Sequence, residues 1–127
     1  KRASSKYHSG GLWTNTCCSH PRVGEANMDA AIRRLKEEMG ICSDLYDAFS
    51  FTYKSLFKNG LTEYEFDHVF IGSSEHIPKL NPEEAEDYRY SHIHDVIKDI
   101  KQNPEQYSEW FKIAIYKVDE HLKKAIS

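Results

Sequence analysis

A thiol and an imidazole stand two residues apart, Cys18 and His20, in the run W-T-N-T-C-C-S-H-P-R-V-G-E. The thiol can act as nucleophile or as acid and base, and the imidazole is a ready metal ligand. Just downstream, Glu25 precedes a helical stretch that carries Arg33, Arg34, Glu37 and Glu38. Guanidinium groups suit a phosphorylated ligand, and carboxylates suit the hard cation that travels with it. A third group comes later: Glu63, Glu65 and Asp67 alternate, so a strand would place all three on one face. Carboxylates so arranged repel; water, a raised pKa or a bound cation can relieve them. Each group also has a plainer reading. The cysteines can be small buried hydrophobes, with a surface histidine beside them. Arg33 to Glu37 and Arg34 to Glu38 can be ion pairs on a solvated helix face. The three acids can line a solvated edge strand. The density of reactive types between positions 13 and 41 favours a site over packing alone.

Several elements must hold these groups. Residues 13–18 have the β-branched and aromatic content of a short strand, ended by Pro21. Met28, Ile32, Leu35 and Met39 make one apolar stripe at helical spacing, with Asn27 as N-cap and Gly40 as stop. The stretch 45–53 alternates with Phe49, Phe51 and Tyr53 on one face, Asn59-Gly60 signals a tight turn, and 61–70 alternates again. The segment 45–70 is therefore a predicted hairpin. A last short strand is expected over 87–92. Two helices follow, the first with Ile93, Val96, Ile97 and Ile100 and ended by Asn103-Pro104. The second is capped by Ser108, has Trp110 in its first turn, and carries Phe111, Ile115, Val118, Leu122 and Ile126. Such a Trp is core or the wall of a pocket. The order β, α, hairpin, β, α, α implies an α+β fold or a mixed-sheet sandwich.

With 127 residues the chain has the size of a single domain, 1–127, with one core. A formal charge of -3 argues against general nucleic-acid binding, so an anion site must be local. No apolar run is long enough to span a membrane, and residues 1–11 lack the apolar region of a signal peptide. Three cysteines, two of them adjacent, make a poor disulfide framework and point to a reducing, cytoplasmic setting. Arg2 and Lys6 lie in a polar opening that is either a loose terminus or a cationic arm reaching a phosphate. The chain opens at Lys1 without a methionine, and upstream sequence is expected to precede it.

Set against the Nudix box, G-x5-E-x7-R-E-U-x-E-E-x-G-U, the chain reads Ser19, Glu25, then Arg33-Arg34-Leu35-Lys36-Glu37-Glu38-Met39-Gly40-Ile41. The spacing holds throughout. Ser19 replaces the first Gly, and Arg34 replaces the Glu of R-E, which weakens the metal cluster that Nudix hydrolases use to activate water. With W-T-N-T-C-C-S-H-P-R-V-G-E and L-T-E-Y-E-F-D-H-V-F on either side, nearly the whole chain resembles the type 1 isopentenyl-diphosphate Δ-isomerases.

The resemblance implies a Nudix-like mixed β-sheet flanked by helices, an α/β/α sandwich, here N-terminally truncated. It implies interconversion of isopentenyl and dimethylallyl diphosphate by protonation and deprotonation. Cys18 and Glu65 match the family's catalytic residues, and Tyr53 matches the tyrosine beside the carboxylate. His20, Glu63 and Glu65 match ligands of a protein-bound divalent metal (Mg²⁺, Mn²⁺ or Zn²⁺), and Glu38 matches a ligand of the substrate's Mg²⁺. Arg2, Lys6 and Arg34 match diphosphate-contacting cations, and Trp110 matches a pocket wall. Two further histidines of the family's metal site fall on segments before Lys1, which leaves three of its five protein ligands here. The competing expectations are a Nudix hydrolase of a diphosphate-containing substrate and an inactive truncated form.

Overall fold

The computed structural model describes residues 1–56, 60 and 62–126; the side chains of Ser55, Leu56, Glu63, Ala125 and Ile126 lie outside the described part. Helix α1 spans Asn27–Met39, strands β1 and β2 span Leu45–Leu56 and Thr62–Gly72, and helices α2 and α3 span Ile93–Gln102 and Glu109–Ile126. A single 3₁₀ turn, Pro104–Gln106, joins the last two helices.

The expected α+β class holds. The described sheet is one antiparallel pair, β1 against β2, with an irregularity between Asp47 and Phe49. The expected Asn59 of the turn lies outside the described residues, and Gly60 takes φ 83°. Two expected strands do not form as ladders. The first, 13–18, makes one parallel bridge, Trp13 to Tyr107. Its backbone is held by Trp13 N donating to Gln106 O (2.8 Å) and Ser108 N donating to Trp13 O (3.0 Å). Beyond that bridge the polar side chains of Thr14 and Asn15 take over the hydrogen bonding, as short polar side chains near backbone do. The second, 87–92, is a connector: Asp87 O accepts from the amino terminus (2.7 Å), Arg89 lies over the Trp13 ring, and His92 caps α2.

Helix α1 also differs from expectation. Ala26, not Asn27, is the cap, and it makes no side-chain bond. Its buried residues are Ala30, Leu35, Glu38 and Met39, whereas Ile32 is 42% exposed. The helix is thus rolled to bring Glu38 inward. Gly40 ends it at φ 64°, where a side chain would be strained and would strike Lys79.

Two apolar clusters frame the molecule. One holds Leu35, Met39 and Ile41 with Cys17 against it; the other holds Ile100, Tyr107 and Ile115 with Trp13 against it. The thiol-bearing segment therefore runs from one cluster to the other. The opening residues are tied down. Ala3 N donates to Glu84 O (3.0 Å), Glu86 N to Lys1 O (2.9 Å), and Ala3 is buried. Among the described residues no helix is long and apolar enough to cross a membrane.

Candidate active site

The hairpin presents its faces in an unexpected sense. Tyr53 pairs with Glu65 and Phe51 with Asp67, so these four side chains share a face. Phe51 and Tyr53 are buried, while Tyr64 and Phe66 on the other side are well exposed. The carboxylates thus share the face that buries Phe51 and Tyr53, while the Glu65 side chain stays 42% exposed. The Glu63 side chain lies outside the described residues.

A cavity of about 900 Å³ opens between this face, α1, α3 and the segment 13–20. Arg2, Cys18, His20, Glu38, Glu65 and Trp110 line it. His20 Nε2 and Glu65 Oε1 are 2.6 Å apart. Asp67 and Glu84 also reach its wall. Lys6, Arg34 and Tyr53 do not line it: Tyr53 is the cross-strand partner of Glu65, and the two cations stand at the carboxylates of the rim.

The rim is an ion-pair network. Arg34 donates from Nε to Ser19 Oγ (3.0 Å), from Nη1 to Glu37 (2.6 Å) and from Nη2 to Glu38 (3.1 Å), and it lies 3.4 Å from Glu84. Lys6 Nζ is 2.5 Å from the other Glu84 oxygen. Arg33 grips Glu25 through Nε (2.8 Å) and Nη2 (2.9 Å), and Glu25 accepts from Arg22 N as well (2.9 Å). That bidentate clamp, followed by the backbone bond, holds the Glu25 carboxyl down to about 2. It fastens the loop after His20 to α1.

Electrostatics on the thiol side run the other way. Burial pushes the Cys17 thiol well above its usual range, and its hydrogen bond to Glu38 Oε2 adds to this, so it is a thiol at neutral pH. Cys18 is pushed up to about 11, by desolvation first and then by the Asp67 and Glu65 charges, with Arg2 opposing. Cys18 as a whole is exposed, and the Asp67 and Glu65 charges reach it through water as well. Burial also raises Glu38, and a shared hydrogen bond with Glu84 adds to the rise. Glu84, which burial alone would raise, ends lowered because Lys6, Glu38 and Arg34 together outweigh burial.

Residues 1–111 match the NUDIX domain family. The chain is 51% identical over 118 residues to isopentenyl-diphosphate Delta-isomerase 2 of Aromatoleum aromaticum, covering 93% of this chain and 62% of that one. It is 43% identical over 121 residues to the Pectobacterium atrosepticum isopentenyl-diphosphate Delta-isomerase, covering 95% and 68%. The Aliivibrio fischeri protein of that name is 43% identical over 130 residues, covering 98% and 72%. The chain belongs to the Nudix-domain isopentenyl-diphosphate Delta-isomerase family. It spans 62% of the length of the first relative and about two thirds of the others.

In this family member the two departures from the Nudix box meet in space. Ser19 and Arg34 hydrogen-bond each other, so the serine hydroxyl accepts from the arginine that stands in the glutamate's place. The box thereby carries a cation where its hydrolase version carries an acid. Arg2 lies with its guanidinium 5.3 Å from the Trp110 ring centre, within cation–π range.

The donor set fits a metal only in part. His20 and Glu65 are adjacent, but the described residues contain no group of three His, Cys, Asp or Glu side chains arranged to hold one. Two donors fall short of the four or more that divalent ions take, so no step below passes through a metal. Sequence reasoning left three residues of the site without a role. Asp67 shows in the sequence only as part of the acidic face, and Glu84 and Asn15 show no pattern at all. The spacing of Asp67 from Glu65 was a usable signal; Glu84 and Asn15 gave none.

Proposed function

We propose that this chain interconverts isopentenyl diphosphate and dimethylallyl diphosphate in isoprenoid biosynthesis, as a single domain over residues 1–127. The observation that carries this reading is that Cys18 and Glu65 line one cavity, with a cationic end at Arg2 and an aromatic wall at Trp110. An unactivated alkene needs an acid on one side and a base on the other. Glu65, backed by Tyr53, delivers a proton to the terminal alkene carbon and leaves positive charge on the tertiary carbon. Cys18 removes a proton from C2, and the double bond re-forms one position along. Trp110 faces the electron-poor carbon, where cation–π stabilisation is worth about 0.5–2 kcal/mol. Phe51 and Trp110 give the cavity apolar wall, and a cation formed there must be shielded from the water that would trap it.

Arg2, Lys6 and Arg34 grip the diphosphate, binding energy remote from the alkene. Lys6 and Arg34 are paired with Glu84 in the free chain, so the ligand's phosphates replace a carboxylate already held there. A Mg²⁺ entering with the diphosphate would meet the oxygen donors Glu38 and Glu84. A second divalent ion would find His20 and Glu65, with Glu63 on the same strand. The thiol of the free chain is protonated, so the loaded site must relieve the fields of Asp67 and Glu65 before Cys18 can act as base. The mixed sheet between helix layers belongs to this reading, supported by the antiparallel bridge Arg2 to Ala85 and the parallel bridge Trp13 to Tyr107. A cytoplasmic setting is supported by the three free cysteines.

The test is incubation with isopentenyl diphosphate and Mg²⁺ in deuterated water. Deuterium should appear in dimethylallyl diphosphate, and Cys18→Ala and Glu65→Gln should each abolish exchange while the fold persists. Phosphate release without isomerisation would replace the proposal with a diphosphate hydrolase.

A further inference from the structure

The chain from 13 to 20 runs between two apolar clusters, and one side chain on it bonds both to α3 and to the peptide before Cys18. Asn15 Oδ1 accepts from Trp110 Nε1 (3.1 Å) and from Thr14 Oγ1 (2.9 Å), while Asn15 Nδ2 donates to Cys17 O (2.6 Å). Thr14 Oγ1 in turn lies 2.7 Å from Ser108 Oγ, a residue with no exposed surface at the start of α3. The amide thus spends its acceptor on the aromatic wall and its donor on the carbonyl immediately before Cys18. We propose that Asn15 is a positioning residue, which fixes the spacing and orientation of Cys18 relative to Trp110. This inference rests on the isomerase reading for its catalytic meaning, but not for its geometry.

The physical case is one of missing alternatives. Beyond the bridge at Trp13 the segment belongs to no ladder, so regular structure does not set where Cys18 sits. Cys17 is anchored through its thiol to Glu38, which fixes one side of the peptide. The Asn15 amide fixes the other side, at the carbonyl. The indole meets Asn15 at the ring nitrogen and Arg2 at the ring face. An amide is the side chain for this task because it offers donor and acceptor a fixed distance apart. Aspartate can keep the acceptor half and loses the donor half. A displacement on the order of 1 Å at a reacting group costs about 100-fold in rate, so a modest shift of the Cys17–Cys18 peptide is enough.

The experiment compares Asn15→Ala, Asn15→Asp, Trp110→Phe and the Asn15→Ala/Trp110→Phe double variant in the whole chain. Two readouts are taken: kcat and KM for isopentenyl diphosphate, and the iodoacetamide alkylation rate of Cys18 relative to Cys42 in the same chain. Asn15→Ala should lower kcat by about 100-fold with KM within about threefold, the split expected when transition-state alignment rather than ground-state binding is lost. Asn15→Asp should retain the thermal midpoint, through its bonds to Trp110 and Thr14, yet lose kcat comparably. In the double variant the losses should fail to multiply, because both singles break one bond chain. The Cys18:Cys42 ratio should change in every Asn15 variant, by about threefold or more. Fold-losses that multiply, or Asn15→Asp with wild-type kcat and an unchanged alkylation ratio, would overturn the proposal. If the parent chain does not turn over the substrate, the alkylation ratio still decides the positioning role, and deuterium incorporation by the full-length protein decides the isomerase reading. Should Asn15→Ala not fold, Asn15→Asp carries both readouts.

Discussion

Cys18 should alkylate far more slowly than an unhindered thiol in the metal-free chain. Its thiol sits at about 11, raised by desolvation and by Asp67 and then Glu65. At pH 8 a pKa of 11 leaves about 0.1% thiolate, against about 24% for a free cysteine near 8.5. That is a deficit of about 240-fold. The more basic thiolate recovers part of it: with a Brønsted slope of about 0.45, the gain over 2.5 pKa units is about 13-fold. The net expectation is a rate about 20-fold below that of an unhindered cysteine peptide whose thiol is near 8.5. The assay is iodoacetamide labelling in excess chelator from pH 7 to 10.5, with Cys17 and Cys18 separated by peptide fragmentation and Cys42 as a check on the reagent. The Cys18 rate should climb through the whole range without a plateau. Asp67→Asn should speed it by removing the stronger of the two carboxylate fields, and a divalent cation seated near Glu65 should do the same by compensating that carboxylate. A half-rise between pH 8 and 9, or an Asp67→Asn chain no faster than the parent, would refute the reasoning.

Arg34→Ala removes the bonds to Ser19, Glu37 and Glu38 and the pairing with Glu84; KM for the diphosphate should rise about 10–100-fold, the value of one or two charge-assisted bonds, with a smaller change in kcat, measured by steady-state kinetics. Tyr107→Phe deletes a buried hydroxyl that donates to Asp99 and accepts from Arg89; stability should fall by about 1–2 kcal/mol, seen as a melting midpoint about 3–10 °C lower. Acid should unfold the chain below about pH 4.5, read as a falling urea midpoint. Glu25 sits at about 2 under Arg33, and Glu37 and Asp99 are also lowered by their partners, so each stabilises the fold above its unfolded value and loses this as pH falls through its folded one. Glu38 is raised and works in the opposite sense, and Glu25→Gln should flatten the curve between pH 4.5 and 2.

What could be read in the residues was whatever depends on local period and spacing. The apolar repeat of α1, the stop at Gly40, the hairpin, and the two last helices divided at Asn103-Pro104 all follow from periodicities of 3.6 and 2 and from turn chemistry. The spacing of the box did more, because it predicted that Arg34 and Glu38 would share a helix face one turn apart. What failed depended on contacts between distant segments. The six residues from Trp13 have strand composition, but their backbone partner is the connector at 106–108, met by Trp13, and composition does not reveal a partner. The side of the hairpin that turns inward was also hidden. Alternation says that Tyr64 and Phe66 oppose Glu65 and Asp67, and hydrophobicity alone would bury the aromatics. The structure buries the aromatics of β1 instead, and the acids opposite them follow.

That reversal bears on function. An apolar face turned inward would have made the hairpin a simple cover for the core. Turned as it is, β2 brings Glu65 to His20 and places Asp67 in the field that acts on Cys18. Tyr64 and Phe66 are left at the surface at 71% and 62% exposure. Apolar surface left in water costs about 25 cal/mol per Å² relative to burial, so this arrangement is not what hydrophobic burial alone would select. Of the inward acids Glu65 meets His20 at 2.6 Å, and both acids share their face with Phe51 and Tyr53. The alternation of β2 is therefore set against the core by one residue, and that single step of register separates a covering hairpin from one that carries acid groups into a cavity.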